Sequence, residues 1–399
     1  MCCGVHDLKP INFGTDTDPR YESDELGNIK VGTDIEADRN DTITTPQASD
    51  SWVQAGGGRD WVRGGAGNDL LEGGAGNDIL EGGAGDDRLF ANSQMTVAQA
   101  IAEGNSQIGT GVPGEFLTGN AGDDIAVGSA NNDTILGGAG ANLLIGGAGD
   151  DLVCADEDVI PTRSWFTTLS GGATYNSSWH IYNVAVRDVA RADVGNSVLY
   201  LGNGNDVGRG GYGNDVIYGE AGDDFVVGGG GNDALFGGVG RDIVLGDFEN
   251  NLAADQGEDY LSGGADDDEL YGYGGSDILV GGTGNDKLVG GAGQDIYIFN
   301  KGDGSDIVID NKAEKNIIRF GEGVLSGDIT LRLGSLMLDL GNGDAIHIEN
   351  FNRDDVYNSV AIDSFEFADG SALSTTELLA RGFDLDGTIL ARFSHPSDL

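Results

Sequence analysis

The sequence predicts an all-β chain built as a repeat solenoid, and three observations carry that prediction. One nine-residue phrase returns without spacing over residues 64–90, as GGAGNDLLE, GGAGNDILE and GGAGDDRLF. Each copy reads Gly-Gly-x-Gly-x-Asp-x-U-x, with U a large apolar residue (Leu71, Leu80, Leu89), so each holds one apolar stretch of strand length and no helical period. The phrase then recurs in further blocks down the chain. One copy cannot bury its own U residue, so stacked copies must do it together.

The two halves of the phrase do different things. Three glycines in four positions permit positive φ and close backbone approach, so the first six residues form a tight loop with carbonyls turned inward. The last three, such as Ile79, Leu80 and Glu81, form the strand, and the Asp before them (here Asp78) stands where loop becomes strand. Its carboxylate can join the carbonyls. An all-oxygen set in a flexible turn suits Ca²⁺ better than Mg²⁺, which demands a stricter octahedron, or Zn²⁺, which prefers His and Cys.

The phrase resembles the RTX, or haemolysin-type calcium-binding, nonapeptide. That resemblance implies a parallel β-roll (an RTX solenoid) in several stacked blocks, two consecutive nonapeptides completing a coil of about eighteen residues. Copies two apart then share a side, with each ion between their loops. Asp60 and Asp78 fall in one row, Asp69 and Asp87 in the other. The resemblance assigns the sixth-position Asp of every copy as a metal ligand, at roughly one Ca²⁺ per nonapeptide.

Composition agrees. The 399 residues carry 67 acidic and 21 basic side chains, a formal charge of −46, which disfavours nucleic acid and anionic membrane surfaces as partners. About eighteen nonapeptides filled with calcium would bring in about +36, most of that deficit. Glycine, at 71 residues, would suggest a flexible linker if it were aperiodic; the period excludes that. Three cysteines (Cys2, Cys3, Cys154) predict no disulfide framework. No apolar run reaches membrane-spanning length, and the first residues lack the apolar core of a cleaved export signal.

Taken in order, residues 1–50 are acidic and without sustained period, and are expected to be poorly ordered, with Asn40 to Ile43 an eroded rung. Residues 51–90 form the first array, with Asp60, Asp69, Asp78 and Asp87 as ligands and Ala55 in place of a first glycine. Residues 91–118 interrupt it, with a helical stretch that places Val97, Ala100 and Ile101 on one face. The second array, 119–154, carries Asp124, Asp133 and Asp151. It departs from the phrase at Asn120, at Ser129 and Asn131, and at Asn142, which replaces an Asp and predicts weaker binding. Residues 155–200 form an aromatic insertion with Trp165, Tyr175, Trp179 and Tyr182, expected to be a small hairpin on the roll.

Residues 201–298 hold the third and fourth arrays, with Asp206, Asp215, Asp224, Asp233 and Asp242, then Asp259, Asp268, Asp277, Asp286 and Asp295. Asp266 replaces a glycine, so distortion is expected around Asp268. From residue 299 to 383 strand-like alternation takes over, with a turn signal at Gly341 to Asp344 and a capping box at Ser374 and Glu377. The order and spacing of YIFNKGDGSDIVI (297–309), IRFG (318–321), IENF (348–351) and FEFADG (365–370) resemble the haemolysin-type calcium-binding-related domain that follows RTX arrays. It is expected to cap the last coil. In the relatives this resembles, GFDLDG (382–387) leads into another array, whereas here a tail of 384–399 follows, so the chain is expected to be a shortened or split member of a multi-block protein.

No His-Glu-x-x-His, Gly-x-Ser-x-Gly or P-loop stretch occurs. The acidic pairs, such as Asp86 and Asp87, pair the sixth position with the variable fifth and do not make a glycosidase site. The four histidines are scattered, and His347 alternates with Ile346 and Ile348 as an outward strand residue. The expectation is a non-catalytic, calcium-binding module. The resemblance implies secretion by a type I exporter and folding on external calcium, with a cell-surface or glycan ligand as candidate partner. The alternative is the RTX portion of a larger toxin, adhesin or secreted enzyme.

Overall fold

The computed structural model describes residues 20–23, 29–32, 42–45, 50–107, 109–155, 195–247, 256–311, 314–332, 336–341, 343–349, 361–381, 383–385 and 388–391. The aromatic stretch 156–194 and the tail 392–399 lie outside the described residues, as does most of 1–50.

Nearly every described residue belongs to a strand or a tight loop, and alternate strands belong to alternate sheets. In the third array Leu199 opposes Ile217 and Ile217 opposes Leu235, all in parallel, across Val198–Asn203, Val216–Ala221 and Ala234–Val239. On the other side Val207–Tyr212, Phe225–Gly230 and Ile243–Asp247 step the same way. Two strands and two loops therefore complete one coil, and two long parallel sheets face each other: a parallel β-roll. The eighteen-residue step has the cause anticipated from the phrase, since side chains alternate along a strand. The eighth position turns inward, and the seventh and ninth turn out.

Interruptions of the period lengthen a coil without breaking register. Ala126 lies beside Leu89, and Leu199 beside Leu144, although long segments separate each pair. The first of these segments holds the helix Val97–Gly104, with Thr96 and Gln99 in a reciprocal capping box. Its buried Ala100 covers Phe90, Val127 and Ile145 on the outer face of a sheet. Beyond it, outward Tyr200, Tyr218 and Phe236 stack at 4.9 and 5.0 Å.

The interior is narrow. It is a single file of eighth-position side chains (Leu71, Leu80, Ile217, Leu235, Leu279 and their counterparts), each fully buried. One copy breaks the file and repairs itself. Gly208 stands at an eighth position, and a Cβ there would meet Leu201 Cδ1 at 2.8 Å, because Leu201, in place of a first glycine, turns into the core.

At the start, Arg20–Ser23 and Ile29–Gly32 pair antiparallel and join one sheet, so this part of the expected irregular segment is strand. Thr42–Thr44 pairs with Trp61–Ala66 as the eroded rung. At the other end the roll continues past the last regular copy. Ser305–Ile309 lies in parallel between Lys287–Ala292 and Asp344–Ile348, and Asn316–Phe320 between Ile296–Phe299 and Ile362–Glu366. Only then do antiparallel strands close it: Leu336–Gly341 pairs with both Thr330–Arg332 and Asp344–Ile348. Phe299, Phe320, Phe365 and Phe367 give this end a broader core, and Thr375–Leu379 is a short helix capped by Ser374 and Glu377.

Candidate metal centres

The loops owe their shape to two glycines. The second and fourth positions have positive φ, 109° at Gly65 and 135° at Gly67, which only glycine adopts without strain. A side chain at Gly74 or Gly76 would also collide with the carbonyl of Gly56 or Gly58 one coil earlier. Three second positions hold other residues with φ of 71–80° (Asn120, Glu220, Tyr273), as does one fourth position, Asp266 at 82°. The distortion expected around Asp268 does not occur. Asp266 takes the left-handed conformation that Asp tolerates better than most residues, and Asp268 still accepts the Asp242 N–H at 2.8 Å.

All seventeen sequence-predicted aspartates are buried, and they stand in two rows. Asp60, Asp78, Asp133, Asp151, Asp206, Asp224, Asp242, Asp268 and Asp286 follow one edge; Asp69, Asp87, Asp124, Asp215, Asp233, Asp259, Asp277 and Asp295 follow the other. Each row is a hydrogen-bonded ladder. Asp224 Oδ1 accepts the Asp206 N–H at 2.8 Å, while the Asp224 N–H donates to Asp242 Oδ1 at 2.8 Å. The ladder survives long excursions, as from Asp87 to Asp124 at 2.7 Å and from Asp151 to Asp206 at 2.5 Å.

The second carboxylate oxygen has a different environment. In most of these residues, Asp69, Asp124, Asp224, Asp277 and Asp295 among them, Oδ2 is buried and has no hydrogen-bond partner. It lies against the first glycine of its own loop and a carbonyl of the next coil. A Cβ on Gly263 would sit 2.6 Å from Gly281 O and would also collide with Asp268 Oδ2. Oxygens thus converge where no donor answers them. Burial accordingly pushes the carboxyls up from 3.8, to about 6 at Asp124, about 7 at Asp87 and Asp259, about 8 at Asp224 and Asp277, and about 9 at Asp233. The ladder N–H groups oppose this rise and neighbouring carboxylates add to it. Buried, orphaned carboxylate oxygens beside carbonyls are costly unless a cation meets them.

Calcium fits that requirement. The donors are all oxygen, and among the described residues no three His, Cys, Asp or Glu side chains gather as a metal set, so a cation held between loops draws mainly on carbonyls. The sixth-position Asp and the carbonyls of its own and the following loop are the groups that would hold it. Asp133 departs: its Oδ2 accepts the Ser129 N–H at 2.6 Å, and Ser129 Oγ reaches Glu115 Oε2 at 2.8 Å.

Several members of this architecture lie outside the copies read from the sequence. Glu115 fills the sixth-position slot between Asp78 and Asp133, its N–H donating to Asp133 Oδ1 at 2.7 Å; only the strand register reveals it. Asp306 accepts the Asp286 N–H at 2.9 Å and extends one row. Its signal was present, since Gly302 and Gly304 have positive φ and Val308 is buried, making 301–309 one more eroded copy. Asn316 ends the other row by accepting the Asp295 N–H at 2.9 Å. The fifth position, variable in sequence, forms an outer ladder of opposite sense. Asn214 Oδ1 accepts the Asn232 N–H at 3.0 Å, and Asp223 Oδ1 the Arg241 N–H at 3.0 Å.

The comparisons with known proteins agree with this geometry. The RTX calcium-binding nonapeptide repeat matches residues 52–92, 118–153, 185–211, 209–244, 245–279 and 271–306, the last span ending on Asp306. The haemolysin-type calcium binding protein related domain matches residues 336–377, over the antiparallel strands and the short helix that close the roll. No curated protein matches the chain.

Proposed function

This chain is an RTX calcium-binding repeat module, and on that premise we propose that it is a secreted, non-catalytic scaffold whose roll folds when external calcium fills its loops. The observation that supports this reading most directly is the double ladder of buried aspartates, in which Oδ2 atoms such as those of Asp69, Asp124, Asp224, Asp277 and Asp295 have no hydrogen-bond partner. A chain of charge −46 with one inward side chain per copy has little to hold it together until cations enter those loops. Extracellular calcium modules bind with Kd of about 10⁻⁴ to 10⁻³ M, so cytosolic calcium would leave the chain unfolded and external calcium would fold it. Such a chain suits passage through a type I exporter. On the outside, the rigid roll would present outward side chains to a cell-surface or glycan partner.

A far-UV circular dichroism titration tests the core of the proposal. The expected result is coil in chelator and full β content at millimolar calcium; full β content in chelator refutes it. Co-expression of the whole chain with a type I exporter tests the route, and retention inside cells that export a known RTX protein would refute secretion by this system. The alternative, that the module serves a larger toxin, adhesin or enzyme, is separated by whether this chain alone binds a cell surface or glycan in its calcium form.

A further inference from the structure

In the row that contains Asp124 and Asp215, two successive coils carry no carboxylate. Asn142 stands at the sixth position of one and Ser197 at that of the next. Asn142 nevertheless keeps the ladder, since its Oδ1 accepts the Asp124 N–H at 3.0 Å and its own N–H donates to Ser197 Oγ at 3.1 Å. A backbone N–H can only donate, so the atom facing Asp124 is the amide oxygen, and the orientation of the amide is fixed by its partner. The nitrogen, Nδ2, then takes the place that Oδ2 has in a regular copy. Its two N–H groups face three carbonyls within hydrogen-bond distance: Gly138 at 3.1 Å, Gly140 at 3.3 Å and Ala155 at 3.3 Å. These are the second and fourth positions of the same loop and the first position of the loop one coil on.

We propose that Asn142 is an internal substitute for calcium: its amide nitrogen satisfies the carbonyls that would otherwise turn to the ion, and this loop closes without metal. The inference rests on the calcium reading of the other loops. An amide N–H₂ brings two donors to a ring of acceptors and removes the carboxylate oxygen that a cation would need. The copy is thus not a weaker version of its neighbours, as loss of one charge alone suggests. Ala155 and Ser197 are joined to Asn142 by hydrogen bonds that do not depend on calcium, and they flank residues 156–194 in sequence. Asn316, the last member of the same row, is built alike. Its Oδ1 accepts the Asp295 N–H at 2.9 Å, while Nδ2 donates to Asn311 O at 3.1 Å and Ala361 O at 3.3 Å.

Counting bound calcium per chain at saturation tests this, by equilibrium dialysis on the full-length protein. Asn142→Asp is expected to hold one ion more than the wild type, and Asp224→Asn one ion fewer while keeping the wild-type β content in calcium. A folded Asn142→Asp with an unchanged count overturns the proposal. If that variant fails to fold, Asp224→Asn decides alone, and a count that stays the same or drops by more than one overturns it. A wild-type chain that binds no calcium is a different result, and refutes the function proposed above.

Discussion

Asp224 and Asp223 are neighbours in sequence with unequal duties, and replacing each with alanine separates them. Asp224→Ala removes the acceptor of the buried Asp206 N–H, a bond of 2.8 Å, and removes an unpartnered carboxylate oxygen from the loop. The orphaned N–H alone costs about 1–3 kcal/mol, and loss of the anionic ligand adds to it in the calcium form. Asp223→Ala loses one acceptor for the Arg241 N–H and an ion pair of 3.2 Å whose side chains are 62% and 30% exposed, worth about 1 kcal/mol together at most. The calcium midpoint measured by circular dichroism should therefore rise more for Asp224→Ala than for Asp223→Ala, each shift being well below the roughly tenfold per 1.4 kcal/mol of a single site because several ions enter in one transition. In calcium-free buffer the order should invert. A carboxyl lifted from 3.8 to about 8 costs roughly 4 kcal/mol to bury at neutral pH, so its removal relieves the calcium-free roll. Equal midpoint shifts for the two variants would refute the division between inner and outer ladders.

The same carboxyls set a pH dependence. With values of about 6 to 9 in the calcium-free roll against 3.8 unfolded, the folded state binds more protons, so its stability is fully present below about pH 4 and is lost as pH rises through 6 to 9. Residual β structure in calcium-free buffer should therefore be greatest in mild acid, and β content that grows with pH would contradict this. Leu235→Ala empties one place in the single-file core and should cost about 2–5 kcal/mol in urea unfolding with calcium present, whereas Phe236→Ala, outward in a stack, should cost less. Gly219→Ala would place a Cβ 2.6 Å from Asp224 Oδ2 and against Gly237 O, so it should raise the calcium midpoint as much as Asp224→Ala does.

The coil and both rows of aspartates were legible because every determinant lies inside one nonapeptide: glycines that set φ, an Asp at the loop's end, and one inward residue. What escaped depends on the coil next door. Around Glu115 only Gly111 at the second position and Leu117 at the eighth keep the phrase, and its register opposite Asp133 places it in the ladder. The fifth position reads as variable because Asn and Asp accept the N–H above equally well. Gly208 and Leu201 are two departures that cancel, visible only when both side chains share the core. Tyr297 is another such case. It occupies an eighth position, yet its hydroxyl accepts the Gly290 N–H at 2.9 Å and donates to Asp310 Oδ2 at 2.7 Å, finishing the last loop with groups from three strands' reach away in sequence.

These ladders also determine how calcium at one loop is felt at another. Each inner Asp divides its two oxygens between neighbours, Oδ1 fixing the backbone of the coil before it and Oδ2 facing the carbonyls of the coil after it. On the calcium reading proposed above, ordering one loop would position half of the next, and binding along a row would be coupled through the backbone contacts between adjacent coils. The coupling along a row is carried by carboxylates until it reaches Asn142 and Ser197, where neutral groups continue the hydrogen bonds but present no anion. The opposite row has no such gap there, because Asp151 bonds directly to the Asp206 coil across the same excursion. Both ladders are thus hydrogen-bonded from 50–155 to 195–311, and on the calcium reading proposed above carboxylates would carry coupling between these parts on one edge only.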